Sequence, residues 1–261
     1  LEAIAKIAQE AEVPLIVDNT MATPRLCRPF EWGADLVVHS TTKFLSGQGN
    51  AMGGIVIDSG RFPWFGNAKY PSLSEPCPDY NGLTFAETFG DMAFTLYSHA
   101  VSLRDLGCTQ SPMNAWITLN GVETLPLRME RHVENAQKVA GFLQQHPSVE
   151  WVSYAGLSSS PYYQLAQKYL QGKAGSVFTF GIRGGYESGL RLLEKVELFS
   201  HVSNIGDSRS LILHPASTTH RQLSDEQRLT AGAGPEVIRL SVGIESAEDL
   251  IADLEQALEG L

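Results

Sequence analysis

Three observations predict an α/β fold for this chain. Short, wholly apolar runs end in polar residues at Leu15-Ile16-Val17 and Leu36-Val37-Val38. Stretches of helical periodicity alternate with such runs, the pattern of a parallel or mixed sheet covered on both faces. The 261 residues, 43% apolar and 18% charged, suffice for a sizeable core and exclude a disordered chain.

Leu1, Ile4, Ala5 and Ala8 fall at helical spacing, which predicts a helix over 1–11. A chain that opens inside an amphipathic helix reads as a piece whose earlier part is absent. Strands are expected over 14–17, 36–38 and 52–57. Residues 60–84, with Pro63, Pro71, Pro76 and Pro78 among aromatics, read as one long irregular loop of the kind that is functional or disordered. Residues 85–106 read as a single helix. A long helix is expected from Glu123 to Gln145, with Pro147 just beyond, and bridges into a second domain. That domain alternates strand 149–153, helix 163–170, strand 176–182, helix 186–195, and strands 209–213 and 236–241. A last helix, 246–260, opens on the capping-box pattern Ser246-Ala247-Glu248-Asp249. The expected boundary gives domains 1–122 and 123–261, the second an α+β layer.

A net charge of −10 argues against nucleic-acid or anionic-membrane partners, which need a basic face. Cys27, Cys77 and Cys108 are odd in number and widely spaced, which points away from disulfides and zinc and towards a reducing cytoplasm. No apolar run approaches the ~20 residues of a membrane span.

In open sheets ligands gather at the carboxyl ends of strands. Asp18 ends one apolar strand and His39-Ser40-Thr41-Thr42-Lys43-Phe44 follows another. That combination suits pyridoxal 5′-phosphate: a lysine for the aldehyde, hydroxyls for the phosphate, a carboxylate for the pyridine nitrogen. In extended backbone Ser40 and Thr42 share a face. Each residue has a plainer reading too. Asp18 suits a turn or helix cap, the hydroxyls suit any loop, and the Gly47-Gly49-Gly53-Gly54 series suits close backbone approach. Arg239, alone in the apolar run Ile238-Arg239-Leu240, fits a substrate carboxylate or an internal salt bridge. The polar run 214–220 could line a site. His214 and His220 lack a carboxylate or Cys at ligand spacing, so no metal is expected.

Four segments in order carry a resemblance: Val17-Asp18-Asn19-Thr20, His39 to Phe44, Ser210-Leu211 with His214-Pro215-Ala216-Ser217, and Arg239 to Glu245. Together they resemble the cysteine/methionine-metabolism family of pyridoxal-phosphate enzymes, across essentially the whole chain. The insertion 60–84, Gly121-Val122-Glu123-Thr124-Leu125-Pro126-Leu127-Arg128 and Ser217-Thr218-Thr219-His220 look most like its O-acetylhomoserine sulfhydrylase branch.

The resemblance implies the aspartate-aminotransferase-like fold (fold type I), present as the C-terminal part of the large cofactor domain plus a small α+β C-terminal domain. It implies Lys43 as the Schiff-base lysine, Asp18 at the pyridine nitrogen, Ser40 and Thr42 on the phosphate, and Thr20 beside the ring. Arg239 would bind the substrate α-carboxylate, with Ser210 nearby. The implied reaction is γ-replacement on O-acetylhomoserine by sulfide or a thiol, a transferase step of methionine biosynthesis in a homodimer or homotetramer. A succinyl-ester sulfhydrylase, a cystathionine γ-synthase, a methionine γ-lyase or a non-catalytic assembly module are the alternatives. The family's amino-terminal part, absent from this chain, would add a phosphate loop, a stacking tyrosine and groups contributed across the dimer.

Overall fold

The computed structural model describes residues 1–261, which form two compact units. Both units are discontinuous in sequence: the first holds 1–19, 28–40 and 52–115, the second 20–27, 41–51 and 116–261.

The first unit carries a three-stranded mixed sheet. Strand β1 (Ile16–Asp18) runs parallel to β2 (Leu36–Ser40), and β3 (Gly54–Asp58) runs antiparallel to β2 on its other side. The register sets Ile16 opposite Leu36 and Asp18 opposite Val38. Asp35 anchors the start of this pairing, its carboxylate accepting the Leu15 amide at 2.8 Å. The helix Glu2–Glu10 precedes β1, and it leaves Ile4 and Ile7 exposed.

The 60–84 segment is more ordered than its composition predicts. It contains a helical turn at Pro71–Ser74, a tighter one at Pro78–Tyr80, and a bridge between Cys77 and Leu83. Phe62, Trp64 and Leu73 are buried with Phe85 and Ala93 in an aromatic cluster, with Trp64 stacked on Phe94 at 5.6 Å. Aromatics spaced for no regular element thus supply a core of their own. The expected helix 85–106 is a series of shorter turns. Its first break falls at Gly90, whose φ of +55° lies outside the right-handed helical region.

The second unit contains a five-stranded sheet in the order β4 (Val149–Ser153), β5 (Val177–Ile182), β8 (Val237–Ser241), β7 (Leu211–Leu213), β6 (Ser200–His201). All its pairings are antiparallel except β6 with β7. Phe180, Ile182, Ile238 and Leu240 from the sheet join Val139 and Leu143 of the long helix and Leu250 and Leu254 of the last helix in one core.

The long helix spans Pro112–Gln145, starting eleven residues earlier than its pattern predicts. Gly121 and Pro126 lie inside it, and Met113, Trp116, Leu119 and Leu127 on its first half are exposed, so that half shows no amphipathic signal. The last helix, Ala247–Leu258, is capped by Ser246, which accepts the Asp249 amide. A complete capping box occurs instead at Ser224 and Gln227. A Gln side chain is one methylene longer than Asp, enough to reach back to the cap amide.

No helix is long and apolar enough to cross a membrane.

Candidate active site

Strand β2 ends at Ser40, and the chain turns at once through Thr41–Leu45. Lys43 departs from helical geometry inside this turn, at φ −92° and ψ −131°. The turn closes on itself through Ser46 N–H to the Thr41 carbonyl (3.1 Å) and Gly47 N–H to the Lys43 carbonyl (2.8 Å). Phe44, fully buried, anchors it against the edge of His132, with ring centroids 5.3 Å apart. A buried aromatic on one side of Lys43 lets its neighbours serve as a rigid base for the amine.

The Lys43 amine donates to the side-chain oxygen of Asn204. The backbone carbonyl of the same Asn204 accepts from Arg239 Nη2 at 3.1 Å. Asn204 therefore joins the two charged residues expected at the site. No motif marked it; its role comes only from the loop 202–210 folding back over β8. Several bonds hold that loop. Gly206 N–H reaches the Ser241 hydroxyl at 3.0 Å, and the Ser208 amide and hydroxyl both donate to the Gly47 carbonyl at 2.8 and 2.7 Å.

Electrostatics follow from this packing. Burial, and then the Arg239 charge, lower the Lys43 pKa from the ordinary lysine value. Burial also lowers that of Arg239. Arg239 engages a peptide carbonyl rather than the internal salt bridge that was one reading of its strand. A half-desolvated guanidinium bonded to a neutral acceptor keeps its attraction for an anion.

Ser210 is fully buried. Its amide and hydroxyl donate to the two Glu245 oxygens at 2.7 and 2.9 Å, and its oxygen accepts Gly243 N–H at 2.8 Å. It braces the chain that leaves β8, the strand bearing Arg239. Thr20 is buried in the second unit, and Thr42 precedes Lys43 in the turn. Asp18 and Ser40 belong to the first unit, at the carboxyl ends of β1 and β2. There Asp18 raises the pKa of His39, against the larger lowering by burial.

In the run 214–220, His214 is buried and spent on internal bonds. One ring nitrogen meets the Ser217 hydroxyl at 3.0 Å and the other the Pro235 carbonyl at 2.9 Å. The glycines after the lysine serve close approach. A Cβ on Gly47 would lie 2.3 Å from Arg128 Nη1.

An amine shifted towards its neutral form, bonded to an amide oxygen beside a cation that no carboxylate neutralises, fits an aldehyde-bearing cofactor and an anionic substrate. Pyridoxal phosphate satisfies that donor set.

Comparison with known proteins bears on this fit. The chain is 50% identical to O-acetyl-L-homoserine sulfhydrylase of Leptospira meyeri, over all of this chain and 61% of that protein. It is 50% identical to O-acetyl-L-homoserine sulfhydrylase 1 of Thermus thermophilus, over 99% of this chain and 61% of the relative. It is 46% identical to homocysteine synthase of Schizosaccharomyces pombe, again over 99% and 61%. The chain thus spans about three-fifths of the length of the curated relatives it matches.

A solved structure from Campylobacter jejuni, assigned as an O-acetylhomoserine (thiol)-lyase, superposes with a TM-score of 0.95 at 43% identity. It covers 99% of this chain and 62% of that one, and it carries N′-pyridoxyl-lysine-5′-monophosphate. The fold is therefore that of a pyridoxal-phosphate enzyme, as the ordered motifs led us to expect. The model of the Cys/Met metabolism PLP-dependent enzymes matches residues 1–259, and the chain belongs to that family.

Proposed function

We propose that the protein containing this chain catalyses γ-replacement on O-acetyl-L-homoserine, exchanging the acetoxy group for sulfide or a thiol. The products are homocysteine (or methionine) and acetate. The observation that carries this reading is the Lys43 amine, bonded to Asn204 and held at a lowered pKa beside Arg239. The names of the relatives support the choice of substrate.

Pyridoxal phosphate, when bound, supplies the electron sink for charge left at the substrate α-carbon. Lys43 would hold the cofactor, and as a free amine it would take the proton from the substrate α-carbon. A lowered pKa leaves that amine neutral at lower pH than an ordinary lysine, so more of it can act as base. Asn204 aims the amine by accepting from it. Arg239 binds the substrate α-carboxylate and orients the molecule, and Ser210 acts one step back by bracing the Gly243–Glu245 turn. By the family resemblance, Asp18 would keep the pyridine nitrogen protonated, Ser40 and Thr42 would take phosphate oxygens, and Thr20 would serve beside the ring. In this reading residues 1–122 supply the C-terminal portion of the cofactor domain and 123–261 the small domain, within a homodimer or homotetramer.

The test combines spectra with rates. The protein mixed with pyridoxal phosphate is expected to show a visible band that Lys43→Ala lacks. Acetyl-homoserine plus sulfide is expected to turn over faster than succinyl-homoserine plus sulfide or methionine alone. An identical band in Lys43→Ala, or a preference for methionine, sinks this assignment.

A further inference from the structure

Arg128 is a buried cation without a buried anion to match it. Its guanidinium donates to four neutral acceptors: the Phe44 carbonyl at 2.8 Å, the Leu45 carbonyl at 3.3 Å, the Gly121 carbonyl at 2.6 Å and the Thr124 hydroxyl at 3.1 Å. Two of these belong to Phe44 and Leu45, the residues that directly follow Lys43. Burying a charge against neutral acceptors alone costs free energy that an apolar side chain of the same volume would not. The arrangement is therefore a poor device for stability and a good one for geometry, since a planar fork fixes direction as well as distance.

Two glycines make room for it. Gly47 has φ +77°, and a Cβ there would meet Arg128 Nη1 at 2.3 Å. A Cβ on Gly121 would meet the Leu45 carbonyl oxygen at 2.4 Å. The lysine turn, the guanidinium and the helix 112–145 thus approach one another more closely than any side chain at these two positions permits.

We propose that Arg128 is a positioning residue for Lys43: its fork locks the peptides after the lysine and so aims the amine at Asn204 and Arg239. The proposal rests on Lys43 being the cofactor lysine, and the experiment separates the two ideas.

Arg128→Lys keeps the charge and loses the fork. Thr124→Val removes one acceptor and leaves the charge in place. With pyridoxal phosphate bound, the pH midpoint of the lysine-linked visible band is followed, together with kcat, KM and the melting temperature. In Arg128→Lys the amine drifts from the Arg239 charge, so the midpoint is expected to rise by about half a pH unit or more. The same variant is expected to lose about tenfold or more in kcat, with KM little changed. Thr124→Val is expected to show a smaller shift of the same sign.

A residue that only stabilised the fold would lower the melting temperature and leave the midpoint alone. If Lys43→Ala lacks the band while both variants keep the parent midpoint and kcat, the positioning role is wrong and the lysine assignment stands. If Lys43→Ala keeps the band, the lysine assignment itself falls. Should Arg128→Lys fail to fold, Thr124→Val decides: a raised midpoint supports the role, and an unchanged one overturns it.

Discussion

The two sheets of this chain are built from similar apolar residues but bury them unequally. In the five-stranded sheet Phe180, Ile182, Ile238 and Leu240 are fully buried. In the three-stranded sheet the central strand β2 buries Leu36 and Val37, while Ile16 of β1 and Ile55 and Val56 of β3 remain about half exposed. Strand composition is thus a poor guide to burial. What differs is cover. The second sheet has three helices contributing Leu143, Leu192 and Leu254 to its core. The second unit thus has the more fully covered sheet, and it also holds Lys43, Asn204, Arg128 and Arg239.

The sharpest way to break that comparison is a truncation in the covered sheet. Phe180→Ala opens a cavity in the closed core and is expected to cost about 3–5 kcal/mol in urea denaturation. An effect below ~1 kcal/mol would show that the core of the second unit is not where stability lies.

His132 sharpens the same contrast through pH. It is fully buried, and burial, with a smaller push from Arg128, holds its pKa at about 4, against the pull of the Val242 carbonyl and Asp207. Between its ordinary value of 6.5 and about 4 the unfolded chain takes up a proton that the folded chain refuses. Stability is therefore complete above that window and falls as pH drops through it, by on the order of 3 kcal/mol. Denaturation at several pH values is expected to show a flatter acid slope in His132→Gln than in the parent. Equal slopes would mean that His132 charges as readily folded as unfolded.

The smallest expected effect is Ile55→Ala, on the open sheet, at about 0.5 kcal/mol or less. A cost near that of Phe180→Ala would mean that this face is covered in solution, and the inequality between the two sheets would vanish.

Elements with one buried face were legible in advance. The helix at 185–195 and the strand at 149–153 are of this kind, and the last helix was marked by its Ser246 cap. The first half of the long helix was not legible, since its exposed apolar residues and Gly121 break the pattern. The aromatic segment 60–84 escaped for the opposite reason: its residues pack on one another without regular spacing. Strand β6 and the helix Asp225–Thr230 are too short to carry a period.

The sequence by itself determined the chemistry on offer: a lysine after two hydroxyls, an aspartate at a strand end, an arginine in an apolar strand. Those follow from residue type and local spacing. Only the tertiary structure decided that Asn204, 161 residues away, meets the Lys43 amine, and that Arg128 grips the carbonyl of Phe44, 84 residues before it. Contacts that distant leave no periodicity behind. They depend on glycines at 47 and 121, where a side chain would meet Arg128 and the Leu45 carbonyl, and on a loop whose path is set by the strand it folds across.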